Sequence, residues 1–433
     1  MAEERQGDPV RLKSARGPLS VEQSAAILKK LAPGDANLLQ RHVAVEEAVS
    51  ESPLVVGNKV TLLRDGPATY KAMFAAVRAA KHHINLETYI IEDDEVGRHL
   101  ADLLLAARAR NVQVNLIYDS VGALRTPRPF FDRLREGGIR VLEFNPVNPL
   151  TAKKGWQINN RDHRKLLVVD GRVAFIGGIN ISSVYSSGSA VRRQATSDVE
   201  PERKLPWRDT HLQIEGPVVA DFQRLFMEAW ERQGGSPLSE RGFFPRLATA
   251  GGEIVRAVGS RANEAPNPIY VTLISAINSA EASVHLTNAY FVPDPQLLDA
   301  LKQAVQRGVD VKLVLPSRTD FWVVFHAGRS FYSELLEAGV KLYERRDALL
   351  HSKTAIVDGV WSMIGSTNLD WRSFLHNEEL NAVVLGAAFS ESMKATFETD
   401  LAASEAITPE QWGRRPFGMR LQETLARMWE YWL

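Results

Sequence analysis

Two short stretches carry the residue types that could do chemistry. DHRKLLVVDG (162–171) places His163 and Lys165 ahead of an apolar run, Leu166 to Val169, and closes on Asp170-Gly171. LHSKTAIVDG (350–359) repeats the arrangement with His351, Lys353 and Asp358-Gly359. Side chains two apart on a strand point to the same face, so each His shares a side with its Lys. Asp-Gly is a strong two-residue hairpin signal. The chain then returns antiparallel, which sets His163 opposite Gly178 with Asn180 just beyond. In the second copy His351 falls opposite Ser366, with Asn368 just beyond. Each hairpin thereby gathers a His, a Lys and an Asn at one end of a rigid strand pair.

That set suits a phosphoryl group. Lys supplies positive charge, Asn an amide donor, and the small Gly178 and Ser366 permit close approach. His serves as nucleophile or as general acid and base. Two such sets facing each other would give one His to attack phosphorus and another to protonate the leaving oxygen. Two Lys and two Asn balance the developing charge, and no zinc-type or clustered carboxylate spacing occurs, so neither a metal nor a cofactor is expected.

A nucleophilic imidazole needs one nitrogen free and the other held by an acceptor. Glu379, in SFLHNEELNAVVL, and Asp209, in WRDTHLQIEG, stand at matching places in the two copies and are expected to orient the histidines. Asp209 takes, beside His163, the place that Asp170 would otherwise fill. Asp170 and Asp358 lie at the turns, far from the His ends, and read as scaffold residues.

The elements that must position these residues recur as well. TYKAMFAAVRAAKHHINLETYII (from Thr69) resembles IYVTLISAINSAEASVHLTNAYFV (from Ile269), each an amphipathic helix followed by an alternating strand. DLLLAARARNVQVNLIYD (from Asp102) resembles DALKQAVQRGVDVKLVLP (from Asp299), and FFDRLREGGIRVLEF (from Phe130) resembles FYSELLEAGVKLYER (from Phe331). Alternating helix and strand patterns predict an α/β fold of two repeats, each a mixed β-sheet flanked by helices, related by a pseudo-two-fold axis. The halves are expected at 51–240 and 241–400, with an N-terminal extension (1–50) and a C-terminal amphipathic helical segment (401–433). The first half carries extra residues before His163, in NPVNPLTAKKG. The Ser-rich, then charged segment 182–206 reads as a surface loop or a cover over the site.

The bulk composition narrows the function. Lys plus Arg and Asp plus Glu are 52 each, so the net charge is zero, which counts against a protein that wraps nucleic acid. There is no cysteine, which excludes disulfides and thiolate chemistry. The charged N-terminus lacks an apolar core and reads as no secretory signal, and no apolar window is long enough to span a bilayer. Membrane contact is therefore expected to be peripheral. Two places suit it: the aromatic stretch DFWVVFHAGRSFY from Asp320, and the last helix, with Leu421, Leu425, Met428 and Trp432 at helical spacing. Glu92, Asp93 and Asp94 read as a solvated loop, and His82 and His83 as packing residues.

The paired H-x-K-x4-D motifs, each followed by G-[GS]-x-N, resemble the phospholipase D superfamily over residues 50 to 400. NLETYIIEDDEVG, LIYDSVGALR, WRDTHLQIEGPVV, AYFVPD and GSTNLDWRSFLHNEELN are similar to the bacterial cardiolipin synthases of that superfamily, in their shorter branch. The resemblance implies two α/β halves sharing one active site and phosphatidyl transfer through a phosphohistidine intermediate. His163, Lys165, Asn180, His351, Lys353 and Asn368 would form its core, with His163 as nucleophile. It further implies phosphatidylglycerol, with or without phosphatidylethanolamine, as substrate at the cytoplasmic side of a bacterial membrane, and no nucleic acid. A phospholipase D or phosphatidylserine synthase would share every catalytic residue; a nucleic-acid phosphodiesterase is a more distant alternative.

Overall fold

A computed structural model describes residues 12–31, 36–49, 52–147, 157, 159–188, 205–238, 242–319 and 321–428. In the first half the strands are β1 (Val55–Arg64), β2 (His83–Thr88), β3 (Gln113–Asp119), β4 (Arg140–Phe144), β5 (Lys165–Val169), β6 (Val173–Gly177) and β7 (Thr210–Glu215). Their spatial order is β4-β3-β2-β5-β6-β7-β1, parallel from β4 to β2 and antiparallel beyond. The second half has β8 (Glu253–Ser260), β9 (Ser283–Asn288), β10 (Asp310–Pro316), β11 (Lys341–Arg345), β12 (Lys353–Val357), β13 (Trp361–Gly365) and β14 (Asn377–Leu385). Its order, β11-β10-β9-β12-β13-β14-β8, is the same element for element. β1 and β8 pair antiparallel, with Val55 opposite Val255, and join the two half-sheets into one.

The strands that carry the motifs are apolar on both faces because both faces are covered. Leu166 and Val168 of β5 turn to an apolar layer shared with the second half, where they join Ile356, Ile364 and Leu380. Leu167 and Val169 turn the other way, to the helices Asp65–Ala79 and Glu95–Ala109. The helix after the second strand of each half, β2 and β9, starts on an equivalent cap. Asp94 accepts the Gly97 N–H (2.9 Å) and Asp294 the Leu297 N–H (2.8 Å).

Each hairpin turn departs by one residue from the two-residue turn expected. Asp170 and Gly171 take φ of 54° and 62°, but pairing closes at Val169–Val173, so Arg172 joins the turn as a bulge. Val360 does the same beside Asp358 and Gly359. The turn aspartates are scaffold residues. Asp170 accepts the N–H groups of Lys81 (2.9 Å), His82 (2.7 Å) and His83 (3.0 Å) at the start of β2. Asp358 accepts those of Glu281, Ala282 and Ser283 at the start of β9, and lies 3.0 Å from the His42 ring Nε2.

The N-terminal helices, Val21–Leu31 and Ala36–Val49, complete the core of the second half through Leu28, Leu39 and Val43. Glu46 accepts the Trp361 indole N–H (2.8 Å) and an Arg256 N–H (2.7 Å) there. Among the described residues no helix is long and apolar enough to cross a membrane. Most of the 182–206 segment, the inserted loop from 148 to 156, and Trp432 lie outside the described residues.

Candidate active site

Two short strand pairs stitch the halves together, and each ends on a histidine. Arg161–Asp162 runs parallel to Asn377–Glu378, and the His163 N–H donates to the Glu378 carbonyl (2.9 Å). Trp207–Arg208 runs parallel to Leu349–Leu350, and the His351 N–H donates to the Arg208 carbonyl (2.8 Å). The next residue along each partner strand is a carboxylate, so the carboxylate and the histidine of opposite halves emerge side by side. His163 Nδ1 is 3.0 and 3.1 Å from the two oxygens of Glu379. His351 Nδ1 is 2.6 Å from Asp209 Oδ2.

This differs from the expected placement of Asp209 beside His163. The carboxylates do meet the histidines, but crosswise. The equivalence of the two copies could not reveal it, because the bridging strands pair between halves.

The supporting residues follow. At the place of Gly178 a Cβ would lie 2.3 Å from an Asp209 oxygen, so glycine leaves room for that carboxylate. In the second half Ser366 instead donates its hydroxyl to Glu379 and accepts the Leu380 N–H (3.0 Å). Lys165 and Lys353 are buried, and each Nζ donates to the carbonyl oxygen of its own histidine. Asn180 Oδ1 accepts the Ile90 N–H (3.2 Å) and its amide donates to the Tyr185 hydroxyl (3.2 Å). Asn368 is buried, and its Oδ1 has no hydrogen-bond partner among the described residues.

His163, His351, Asn180 and Asn368 all line one cleft of about 640 Å³ between the halves. The walls include residues not singled out from sequence. The Tyr89 ring meets His163 edge-on at 5.0 Å between centroids, and Trp207 packs on His351 at 5.2 Å. The Tyr185 hydroxyl is 3.3 Å from His351 Nδ1. Glu92 lines the cleft rather than a solvated loop, and accepts the Ser182 hydroxyl. Arg161 lines it too; its place two residues before His163 on an extended segment was the available signal. His83 packs, as expected, stacking on Phe243 at 4.2 Å.

Burial sets the charge states. It pushes His163 down to about 4, with Lys165 and Lys353 adding to the fall and Glu379 opposing it. Its imidazole is therefore neutral at pH 7, with Nδ1–H given to Glu379 and Nε2 carrying the lone pair. Burial also lowers Lys165 to about 7, aided by Lys353 and opposed by Glu379. Burial alone would raise Glu379, but the bonds and charges of His163, Lys165 and Ser366 together hold it below the usual carboxylate range. Asp209 is held low in the same way by His351 and Lys353. Among the described residues no group of three His, Cys, Asp or Glu side chains is placed to hold a metal ion.

The family whose description is "Cardiolipin synthase, PLD-like domain" matches residues 73–188 and again 273–401, one match per half. The chain belongs to this family of phospholipase D-like cardiolipin synthases. Within it, the chain is 34% identical over 383 residues to the cardiolipin synthase of Geobacillus kaustophilus, covering 88% of this chain and 73% of that protein. It is 35% identical over 364 residues to cardiolipin synthase A of Pseudomonas aeruginosa, covering 84% and 71%. Among solved structures, a phosphatidylserine synthase of Haemophilus influenzae has a TM-score of 0.67 at 11% identity, covering 91% of this chain and all of that one, which shows a shared fold.

Proposed function

We infer that the protein is a phosphatidyltransferase that makes cardiolipin, with phosphatidylglycerol as acceptor and either phosphatidylglycerol or phosphatidylethanolamine as donor. The observation that carries this reading is the crossed pair of carboxylate-held histidines in one cleft. Residues 51–240 and 241–400 each supply half of the machinery.

His163 is the nucleophile. Its Nε2 lone pair attacks phosphorus, the bond from phosphorus to the headgroup oxygen breaks, and His351 gives its Nε2 proton to that oxygen. Asp209 stabilises the His351 imidazolium before the transfer and Glu379 the charge that builds on His163. Lys165, Lys353, Asn180 and Asn368 balance the charge on the phosphoryl oxygens. In the second step the neutral His351 takes the proton of the acceptor hydroxyl. That oxygen attacks phosphorus, the bond to His163 breaks, and both histidines return to their starting states.

The protein works as a peripheral enzyme on a bacterial membrane, at its cytoplasmic side. The helix Phe417–Arg427 supports the membrane contact. It docks on the helix Trp322–Arg329 through Glu423 and Ala426 and turns its apolar stripe outward, leaving Phe417, Leu421, Leu425 and Met428 79, 49, 51 and 76% exposed. Phe321 (53% exposed) and Leu124 (63%) carry that apolar character to the cleft, one from each half. A bilayer is the occupant that fits, because the acyl chains of both substrates must stay in it while their headgroups enter the cleft.

The test is purified protein with phosphatidylglycerol vesicles, read by lipid mass spectrometry. Cardiolipin is the expected product; phosphatidic acid alone would make the protein a hydrolase.

A further inference from the structure

The cleft holds three cations that this mechanism does not use. Arg125, Arg161 and Arg372 line it together with His163. Arg161 is 2% exposed. Its Nη1 donates to Ser120 Oγ (2.9 Å) and the Asn145 carbonyl (3.2 Å), with Asp119 3.6 Å away. Its Nε and Nη2 have no hydrogen-bond partner among the described residues. A buried guanidinium with two idle donors is costly unless something else meets them. Arg372 donates to the Asn159 carbonyl at 3.3 Å, and neither it nor Arg125 forms a salt bridge among the described residues. The nearby cleft carboxyl, Asp370, is pushed up by burial to about 7, so it offsets little of this charge in a slightly acidic medium.

We propose that Arg125, Arg161 and Arg372 form a second anion subsite, which holds the phosphodiester of the acceptor lipid while its free hydroxyl reaches the phosphorus on His163. This rests on the cardiolipin-forming reading above. The reacting phosphate already has two lysines and two asparagines. A further anionic group must come from the other substrate, and phosphatidylglycerol carries one, a glycerol's length from its attacking hydroxyl. Arg161 and His163 are two residues apart on an extended segment, about 7 Å along the chain, which matches a glycerol bridge between two phosphates. Guanidinium groups suit the oxygens of a phosphodiester. The subsite selects the acceptor by charge: an alcohol without a phosphate gains nothing from it.

A partition experiment tests this. Phosphatidylglycerol vesicles are given ethanol, a neutral primary alcohol, as a competing acceptor, and cardiolipin and phosphatidylethanol are measured together. Both products leave one phosphatidyl-histidine adduct, so effects on the donor step or on the amount of folded enzyme cancel in their ratio. Arg372→Gln, Arg125→Gln and their double variant change exposed or half-exposed positions, and Arg161→Gln the buried one. The cardiolipin-to-phosphatidylethanol ratio is expected to fall about tenfold or more in Arg161→Gln and in the double variant. An unchanged ratio in the double variant overturns the subsite, even if both rates drop and even if Arg161→Gln does not fold. A wild-type enzyme that yields phosphatidylethanol but no cardiolipin overturns the underlying reading instead, and is told apart by that result.

Discussion

His163 and Glu379 belong to opposite halves of the chain, yet Glu379 holds the Nδ1 of His163 at 3.0 Å, while Asp209 holds His351 in return. Neither half alone can therefore hold its own histidine in this orientation. Glu379→Gln and Asp209→Asn keep the shape but lose the charge, and each is expected to lower kcat by about 10²- to 10⁴-fold. The two differ in the histidine affected: Glu379→Gln weakens the attack by His163, and Asp209→Asn the proton transfer by His351 that accompanies it. With phosphorus-32-labelled donor, His163→Ala forms no acid-labile protein adduct, and Glu379→Gln forms it slowly. Asp209→Asn and His351→Ala both impair proton handling at the other histidine. Slow adduct formation in Asp209→Asn with normal formation in Glu379→Gln would overturn the assignment of His163.

The pH profile follows from burial. Below about pH 4 His163 is protonated and loses its lone pair; above about pH 7 the buried Lys165 loses the proton that gives it charge. The profile of kcat/KM, which reports the free enzyme, should thus fall on the acid side near 4 and on the alkaline side near 7. A bound phosphate favours the charged lysine, so the alkaline limb of kcat lies at higher pH than that of kcat/KM. Asp370 titrates in the same range, so Lys165→Arg assigns the limb. If the limb stays near 7 in that variant, it does not belong to Lys165.

Why the motifs were legible and the crossing was not has a local cause. His, Lys and Asn recur at fixed spacing in both copies, and a continuous apolar run closed by Asp-Gly marks a buried strand leading into a turn. The repeat likewise exposed two equivalent sheets, because each block reads as a helix and then a strand. Long-range pairing leaves no such trace. Arg161–Asp162 and Trp207–Arg208 are two-residue strands with no periodicity of their own, and their partners lie far along the chain. The bulge at Arg172 was hidden for a related reason: Asp-Gly marks a turn but does not state its length. Glu92 sits in an acidic run that composition alone reads as solvated.

Asp170 offers a separation of stability from chemistry. Its carboxylate gathers three backbone N–H groups at the start of β2, and its φ of 54° suits Asp or Asn. Asp170→Ala removes all three bonds and is expected to cost about 1–3 kcal/mol by urea unfolding. Turnover per folded molecule should stay within a few-fold of wild type, since the carboxylate lies at the far end of the hairpin from His163. A collapse of turnover in a variant that unfolds at the wild-type urea concentration would return Asp170 to the catalytic machinery.

The outward apolar stripe of the last helix makes a prediction about the membrane. Leu421 and Leu425 are about half exposed, so replacing them by Glu leaves the core untouched. Sinking the exposed half of each leucine into a bilayer is worth about 0.8–1.5 kcal/mol, so each substitution should weaken vesicle binding roughly fivefold or more. Flotation with vesicles containing phosphatidylglycerol reads this directly. A variant carrying both Leu421→Glu and Leu425→Glu should turn over a dispersed short-chain substrate at the wild-type rate, because neither residue lines the cleft. Two results would sink the docking face. One is unchanged flotation. The other is a wild-type dimer that the same substitutions dissociate, which would make the stripe a contact between two copies of the chain.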